Sequence, residues 1–232
     1  MKLAIMQPYF LPYIGYFQLL NLVDKFVFYD DVNFINRGWI NRNNMLVNGQ
    51  EHLFTIPLVK ASQNKLIKNI EINNCSDWRS KTLKTIRLSY SKAPNFDSVY
   101  PIFESIFNFQ TNSLPDFILN ANLRLIAFLS IDTEIIQSSS HYLNNGLKGQ
   151  ERILDICIKE QATMYVNPPG GKALYEQNEF VRRGIELKFL NVLPIEYKQY
   201  GKKFTPYLSI LDVLMFNGLP EIKKLLNCYS LV

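Results

Sequence analysis

The chain has 232 residues with 25 Lys and Arg against 20 Asp and Glu, a formal charge of +5, and it is 47% hydrophobic and 19% charged; this composition excludes disorder and suits one large α/β domain. Cys75, Cys157 and Cys228 form no C-x-x-C pair and leave an odd count, which argues against a disulfide framework or zinc knuckle and for a reducing, cytoplasmic compartment. No apolar run approaches the roughly 20 residues of a membrane span, Met1-Lys2-Leu3 opens into a strand instead of a signal peptide, and the basic pairs Arg182-Arg183, Lys202-Lys203 and Lys223-Lys224 make no stripe for a nucleic-acid backbone.

Leu3 to Met6 is a short apolar run ended by Gln7-Pro8, which predicts a buried first strand. Ile14 to Val23 carries apolar residues at helical spacing, and Lys25 to Tyr29 returns to a strand closing on Asp30-Asp31. A right-handed crossover makes the two strands parallel and sets Gln7 to Tyr16 beside Asp30-Asp31, on the edge where open α/β sheets bind ligands. Next, Met45 to Val47 and His52 to Leu58 flank Asn48-Gly49, which tolerates the positive φ of a type I′ turn and predicts a β-hairpin. A strand follows at Asn69 to Ile72. Asp77 is the expected N-cap of a helix running to Tyr90, and helices over Ser98 to Phe109 and Pro115 to Ser130 complete a helical insertion over 77–130. Alternation resumes with a strand at Glu134 to Ile136, an amphipathic helix at Gln150 to Glu160, and strands at Thr163 to Val166 and Glu186 to Leu190. Two last helices, Leu208 to Phe216 and Leu219 to Leu226, are split by Asn217-Gly218, read as C-cap and turn. With no repeat or long linker, residues 1–232 read as one domain.

Four constellations carry chemistry. In the first, Pro8 and Pro12 fix φ, Gly15 permits close approach, and Gln7, Tyr9, Tyr13 and Tyr16 gather neutral donors at a helix start, where free N–H groups favour an anion; a plain Pro-rich turn is the competing reading. Asp30-Asp31 can bind a sugar hydroxyl, an amine or Mg²⁺, or supply a base. Behind them Arg37, Trp39, Asn41 and Arg42 alternate as a strand edge would, with arginines suited to a phosphate or carboxylate and Trp39 to a ring; a salt bridge back to the aspartates is the other possibility. Ser139 and His141 follow a strand, with His141 a candidate base recruited across space, and Lys148 and Arg152 stand at the next helix start. Finally Asn167, Gly170 and Gly171, in Asn167-Pro168-Pro169-Gly170-Gly171-Lys172, close a strand and open a helix without P-loop spacing. His52 reads as a surface or core histidine, and Cys157 as a buried small hydrophobe.

At these residues the chain resembles the WbqC-like protein family, through IMQPYFLPYIGY (Ile5 to Tyr16), DDVNFINRGWINRN (Asp30 to Asn43), FTIPLVKASQNK (Phe54 to Lys65), KGQERILD (Lys148 to Asp155), NPPGGKALY (Asn167 to Tyr175) and FTPYLSILDVLMFNG (Phe204 to Gly218). The resemblance implies membership of surface-polysaccharide and O-antigen gene sets and transfer of an acyl or aminoacyl group to an amino sugar carried on a nucleotide. A fainter likeness places Tyr13-Ile14-Gly15-Tyr16 where nucleotidylyltransferase-like Rossmann proteins carry H-x-G-H. Tyrosines at the histidine positions are neutral at pH 7 and poorer partners for developing negative charge.

The expectation is therefore a Rossmann-like parallel sheet of nucleotidylyltransferase-like topology, with a β-hairpin insertion and a helical middle segment. The segments above meet in one cleft. Arg37, Arg42 and helix N-termini hold a diphosphate, Trp39 or a tyrosine stacks on a ring, and Asp31 or His141, with Asp30 beside them, takes the amine proton. The expected partners are a nucleotide-linked sugar and an activated acyl or aminoacyl donor, which a carrier protein could present. Alternatives are nucleotidyl transfer, which would need ATP or another nucleoside triphosphate with Mg²⁺, and noncatalytic sugar-nucleotide binding.

Overall fold

Strand β1 (Lys2–Met6) owes its place to its alternation: Leu3 and Ile5 join the core beneath one face of a sheet and Ala4 the core beneath the other. In the computed structural model, which describes residues 1–201 and 203–232, Lys202 of the Lys202-Lys203 pair lies outside the described residues. Helix α1 (Ile14–Leu22) returns the chain so that β2 (Lys25–Phe28) lies parallel to β1, with Ala4 opposite Phe26. The expected hairpin forms from β3 (Arg42–Val47) and β4 (Gln50–Thr55), and Asn48 and Gly49 take φ of 53° and 73° at its turn. A small ladder joins β5 (Leu58–Val59) to β6 (Glu71–Ile72).

Helices α2 (Trp78–Tyr90), α3 (Phe96–Phe107) and α4 (Leu114–Leu129) follow, and Phe103, Phe107, Phe117 and Tyr90 are fully buried among them. Each such ring contributes roughly 1.5–3 kcal/mol. The chain then rejoins the sheet through β7 (Glu134–Ile136), α5 (Gly149–Lys159), β8 (Met164–Asn167), α6 (Gln177–Val181) and β9 (Glu186–Val192). It ends in α7 (Ile210–Phe216), α8 (Leu219–Leu226) and β10 (Tyr229–Leu231). The sheet order is β10-β9-β8-β1-β2-β7, parallel except for β10. Numbered along the chain, its strands run in the doubly wound order 3-2-1-4-5-6, which reverses between β1 and β8. Residues of α1, α7 and α8 fill the core on one face, and residues of α5 and α6 fill the other. Among the described residues no helix is long and apolar enough to cross a membrane.

Several local expectations need correction. The segment from Arg37 to Asn41 is not a strand edge: Arg37 sits at φ 60°, and β3 begins only at Arg42. Asp77 occupies the N-cap position and its carbonyl accepts the Lys81 N–H at 3.1 Å, but its side chain caps no backbone N–H and accepts the Ser80 hydroxyl instead. Asn217 is the C-cap of α7 as expected, but at φ −122° it is extended and not left-handed, and Gly218, at φ −71°, is the N-cap of α8. The helix that the Gly170-Gly171 segment opens after β8 is a short 3-10 one, Pro169–Leu174. The edge strand β10 was not anticipated. Cys157 is buried as expected, and burial pushes its thiol up to about 12.

Candidate functional site

The strand-order reversal leaves a crevice beyond the carboxyl ends of β1 and β8, and a cavity of about 870 Å³ occupies that position. Its inner wall is Met6, Gln7, Asn167 and Gly170, from those two strand ends. Tyr9, Tyr13, Gly15 and Tyr16 contribute from the loop and first turn of α1. Tyr29, Asn43, Tyr175 and Leu190 add walls from four other segments, and Ile35, Trp39, Leu174 and Tyr207 stand exposed around the mouth. No Asp, Glu, Lys, Arg or His lines it among the described residues.

The loop between β1 and α1 is held almost atom by atom. Asn43 Nδ2 donates to the Leu11 carbonyl at 2.8 Å, Asn122 Nδ2 to that of Tyr9 at 3.1 Å, and Ser209 Oγ to that of Leu11 at 2.7 Å. The backbone adds Phe10 N–H to Ile40 O at 3.1 Å and Ile210 N–H to Pro12 O at 2.9 Å. Two prolines and Leu11 at φ 44° leave this loop no helix or sheet ladder, so its carbonyls are satisfied by side chains from β3, α4 and the entry to α7. Its tyrosines are thereby fixed in place. Tyr16 donates to the Gln7 carbonyl at 3.1 Å, and Gly15 leaves room for the Tyr13 ring, whose hydroxyl end a Cβ at that position would displace.

Across the cavity, Asn167 Nδ2 donates at 2.9 Å to the hydroxyls of both Tyr165 and Tyr175. Burial raises Tyr9, Tyr13, Tyr16, Tyr29 and Tyr175 above the ordinary phenol value, so these rings present neutral hydroxyls. Gln7 Oε1 is buried in this wall with no hydrogen-bond partner. The cavity thus offers ring faces and neutral donors, with one unanswered acceptor packed just beneath its surface.

The carboxylates lie beside the cavity and not in its wall. Asp31 forms a buried ion pair with Arg152, Oδ2 to Nη2 at 2.5 Å, and also accepts the Ser139 hydroxyl. Arg152 is held further by Asn144 Oδ1 at 2.9 Å, and its guanidinium lies over the Tyr29 ring at 5.0 Å, so this charge backs a ring that faces the cavity. Asp30 accepts from Ser138 Oγ at 2.7 Å and from the Ser139 N–H at 3.2 Å. Burial still pushes its carboxyl above the usual range, against the pull of those donors. His141 is exposed on the 3-10 turn Ser139–Tyr142, and Lys148 is exposed at the N-cap of α5. Arg37, Asn41 and Arg42 line a separate recess, and neither arginine pairs with the aspartates.

Of the anticipated binding set, Gln7, Tyr9, Tyr13, Gly15, Tyr16, Trp39, Asn167, Gly170 and Gly171 therefore share one cavity, Ser139 and Arg152 hold Asp31 beside it, and Pro8 is buried outside its lining. Asn43, Tyr175 and Tyr207 are cavity residues that sequence reasoning passed over, although each falls inside a string quoted for the family resemblance.

A second polar centre lies in the FTPYLSILDVLMFNG string. Fully buried Asp212 accepts from Tyr90 and Tyr197 hydroxyls at 2.8 Å each and from Gln199 Nε2 at 2.7 Å. Tyr90 in turn accepts the Leu46 N–H at 2.9 Å, so one carboxylate ties α7 to α2, the hairpin and the loop that carries Tyr207. Burial raises its pKa, with the three donors pulling the other way.

A model of the WbqC-like protein family matches residues 7–224. The "Uncharacterized protein Rv1507c" of Mycobacterium tuberculosis (strain ATCC 25618 / H37Rv) is 30% identical over 222 residues, covering 93% of each chain. No solved structure matches the chain significantly.

Proposed function

The chain belongs to the WbqC-like protein family, and on that premise we propose that it is a transferase of surface-polysaccharide biosynthesis, moving an acyl or aminoacyl group onto the amine of a nucleotide-linked amino sugar. The observation that carries this reading is the uncharged, tyrosine-walled cavity with the unpartnered Gln7 Oε1 in its wall. An acceptor oxygen in such surroundings favours a ligand whose N–H or O–H reaches it and rejects an analogue without one. Ring faces of tyrosine and Trp39 cover the apolar face of a sugar or a base.

In this reading the amine nitrogen attacks the carbonyl carbon of an activated acid. The C–N bond forms, the bond to a thiolate or phosphate leaving group breaks, and an amine proton passes to a base. Asp31 is held by Arg152, so the proton falls to Asp30, whose buried carboxyl is pushed upward, or to His141; neither lines the cavity, so in this reading it travels there through a water and not by direct contact. The activated donor approaches at the mouth, between Trp39 and Tyr207.

The absence of a carboxylate, histidine or lysine from the cavity lining among the described residues favours a second reading, noncatalytic binding of a sugar nucleotide. One experiment separates the two. The purified chain is incubated with nucleotide-linked amino sugars and acyl or aminoacyl thioesters, amide is sought by mass spectrometry, and ligand-induced thermal shifts are recorded in parallel. Amide formation that Gln7→Leu abolishes supports the transferase. A shift lost in Gln7→Leu with every substrate unchanged supports the binding protein, and neither product nor shift would sink both.

A further inference from the structure

The turn that follows β2 separates two recesses. Ile35 and Trp39 face the tyrosine-walled cavity, whereas Arg37 and Arg42 face a recess of about 380 Å³ that they share with Asn36 and Asn41. No acidic side chain lines this second recess among the described residues. Its two arginines do different work. Arg42 donates through Nε to the Gly38 carbonyl at 3.1 Å and through Nη2 to the Arg37 carbonyl, so its guanidinium braces the turn. The Arg37 guanidinium makes no ion pair and no hydrogen bond among the described residues.

The backbone sharpens the contrast. Arg37 is held at φ 60°, a left-handed conformation in which a side chain is strained and glycine is not. Glycine is the next residue, Gly38, so the chain places an arginine at the strained position and the permissive residue beside it. Arg42 braces that turn through the Arg37 and Gly38 carbonyls, which leaves the exposed Arg37 side chain free beside the recess. The complementary fact is the uncharged cavity across the turn: a ligand with both a neutral ring system and an anionic group has nowhere in the cavity lining to place a formal countercharge.

We propose that this recess is an anion subsite, in which Arg37 grips a phosphate or diphosphate through its planar N–H fork and Arg42 acts as the positioning residue that holds the turn. The subsite needs no transfer chemistry and stands whether or not the transferase reading does.

The test is calorimetric titration of the full chain with sodium pyrophosphate and, separately, with a nucleoside diphosphate, at fixed ionic strength with chloride as control. No amino sugar or acyl donor is present, so failure here is distinct from failure to form amide. Arg37→Gly is expected to weaken pyrophosphate binding about tenfold or more, while melting at or above the wild-type temperature because the strain is relieved. Arg37→Lys keeps the charge but loses the fork, and is expected to bind between the two. A nucleoside diphosphate that binds more tightly than pyrophosphate, with the same loss in Arg37→Gly, identifies the source as a nucleotide; equal affinities identify the bare phosphate group. Wild-type protein that takes up no pyrophosphate beyond the chloride control, or an Arg37→Gly variant that binds it unchanged, overturns the subsite. An Arg37→Gly variant that melts lower overturns the strained-placement argument.

Discussion

Replacing Arg152 by methionine leaves Asp31 as a buried carboxylate with the Ser139 hydroxyl as its remaining side-chain partner. The side chains of the pair are only 4% and 3% exposed, and the guanidinium also serves Asn144 and the Asp31 carbonyl. Removing one member of a buried pair costs about 3–5 kcal/mol, chiefly because the other charge is stranded in low dielectric. For a chain of this size that lowers the melting temperature by about 10 °C. The double variant Asp31→Leu/Arg152→Met removes both charges and is expected to recover most of the loss. Urea unfolding of the two single variants and the double closes a thermodynamic cycle. A loss in Arg152→Met below about 1 kcal/mol, the range of solvated surface pairs, would refute the reasoning. So would a double variant no more stable than the worse single.

Three further outcomes follow from other parts of the site. Gly15→Ala pushes its methyl into the Tyr13 hydroxyl and toward Val192 Cγ2, 2.8 Å away, and should cost only about 1 kcal/mol because the tyrosine can swing; ligand-induced thermal shifts should nevertheless vanish, and a retained shift would count against Tyr13 as a wall. Asn43→Ala strips donors from the Phe10 and Leu11 carbonyls, at about 1–3 kcal/mol, and the Phe10 amide should exchange faster with deuterium than in the parent. Asp212 has a folded-state pKa above its unfolded value, so the folded protein binds the extra proton and stability falls as pH rises from about 4 through the folded value. Asp212→Asn should therefore gain on the parent as pH climbs from 4 to 7, and parallel urea midpoints across that window would contradict it.

The parallel core was legible because its signals are local: the apolar runs at Leu3 to Met6 and Lys25 to Tyr29, and Asn48-Gly49 between two strands, act over a handful of residues. The cavity was legible where its residues sit at strand ends and in the proline-bounded loop. Asn43, Tyr175 and Tyr207 were not, since nothing near them in sequence reveals that hydrogen bonds from remote segments bring them to one wall. Reading Arg37 to Asn41 as a strand edge failed for a related reason: Arg42 captures backbone carbonyls, and alternation of polar and apolar residues is blind to side chains that cap the main chain. Arg152 looked like a ligand contact because its carboxylate partner is more than a hundred positions away. The edge strand Tyr229–Leu231 is too short for periodicity to register.

The β1–α1 loop takes one of its anchors from Ser209, 198 positions downstream, and β1 itself finds its β8 partner only at Met164 and Tyr165. During synthesis β1 can pair with β2 at once, but its other edge stays without a partner until β8 has emerged, and the loop after it is not anchored until Ser209 follows. Contacts of such long sequence separation form slowly and expose sticky intermediates meanwhile. A nascent chain stalled before residue 209 should be chaperone-bound and protease-sensitive, with its ligand crevice still unbuilt.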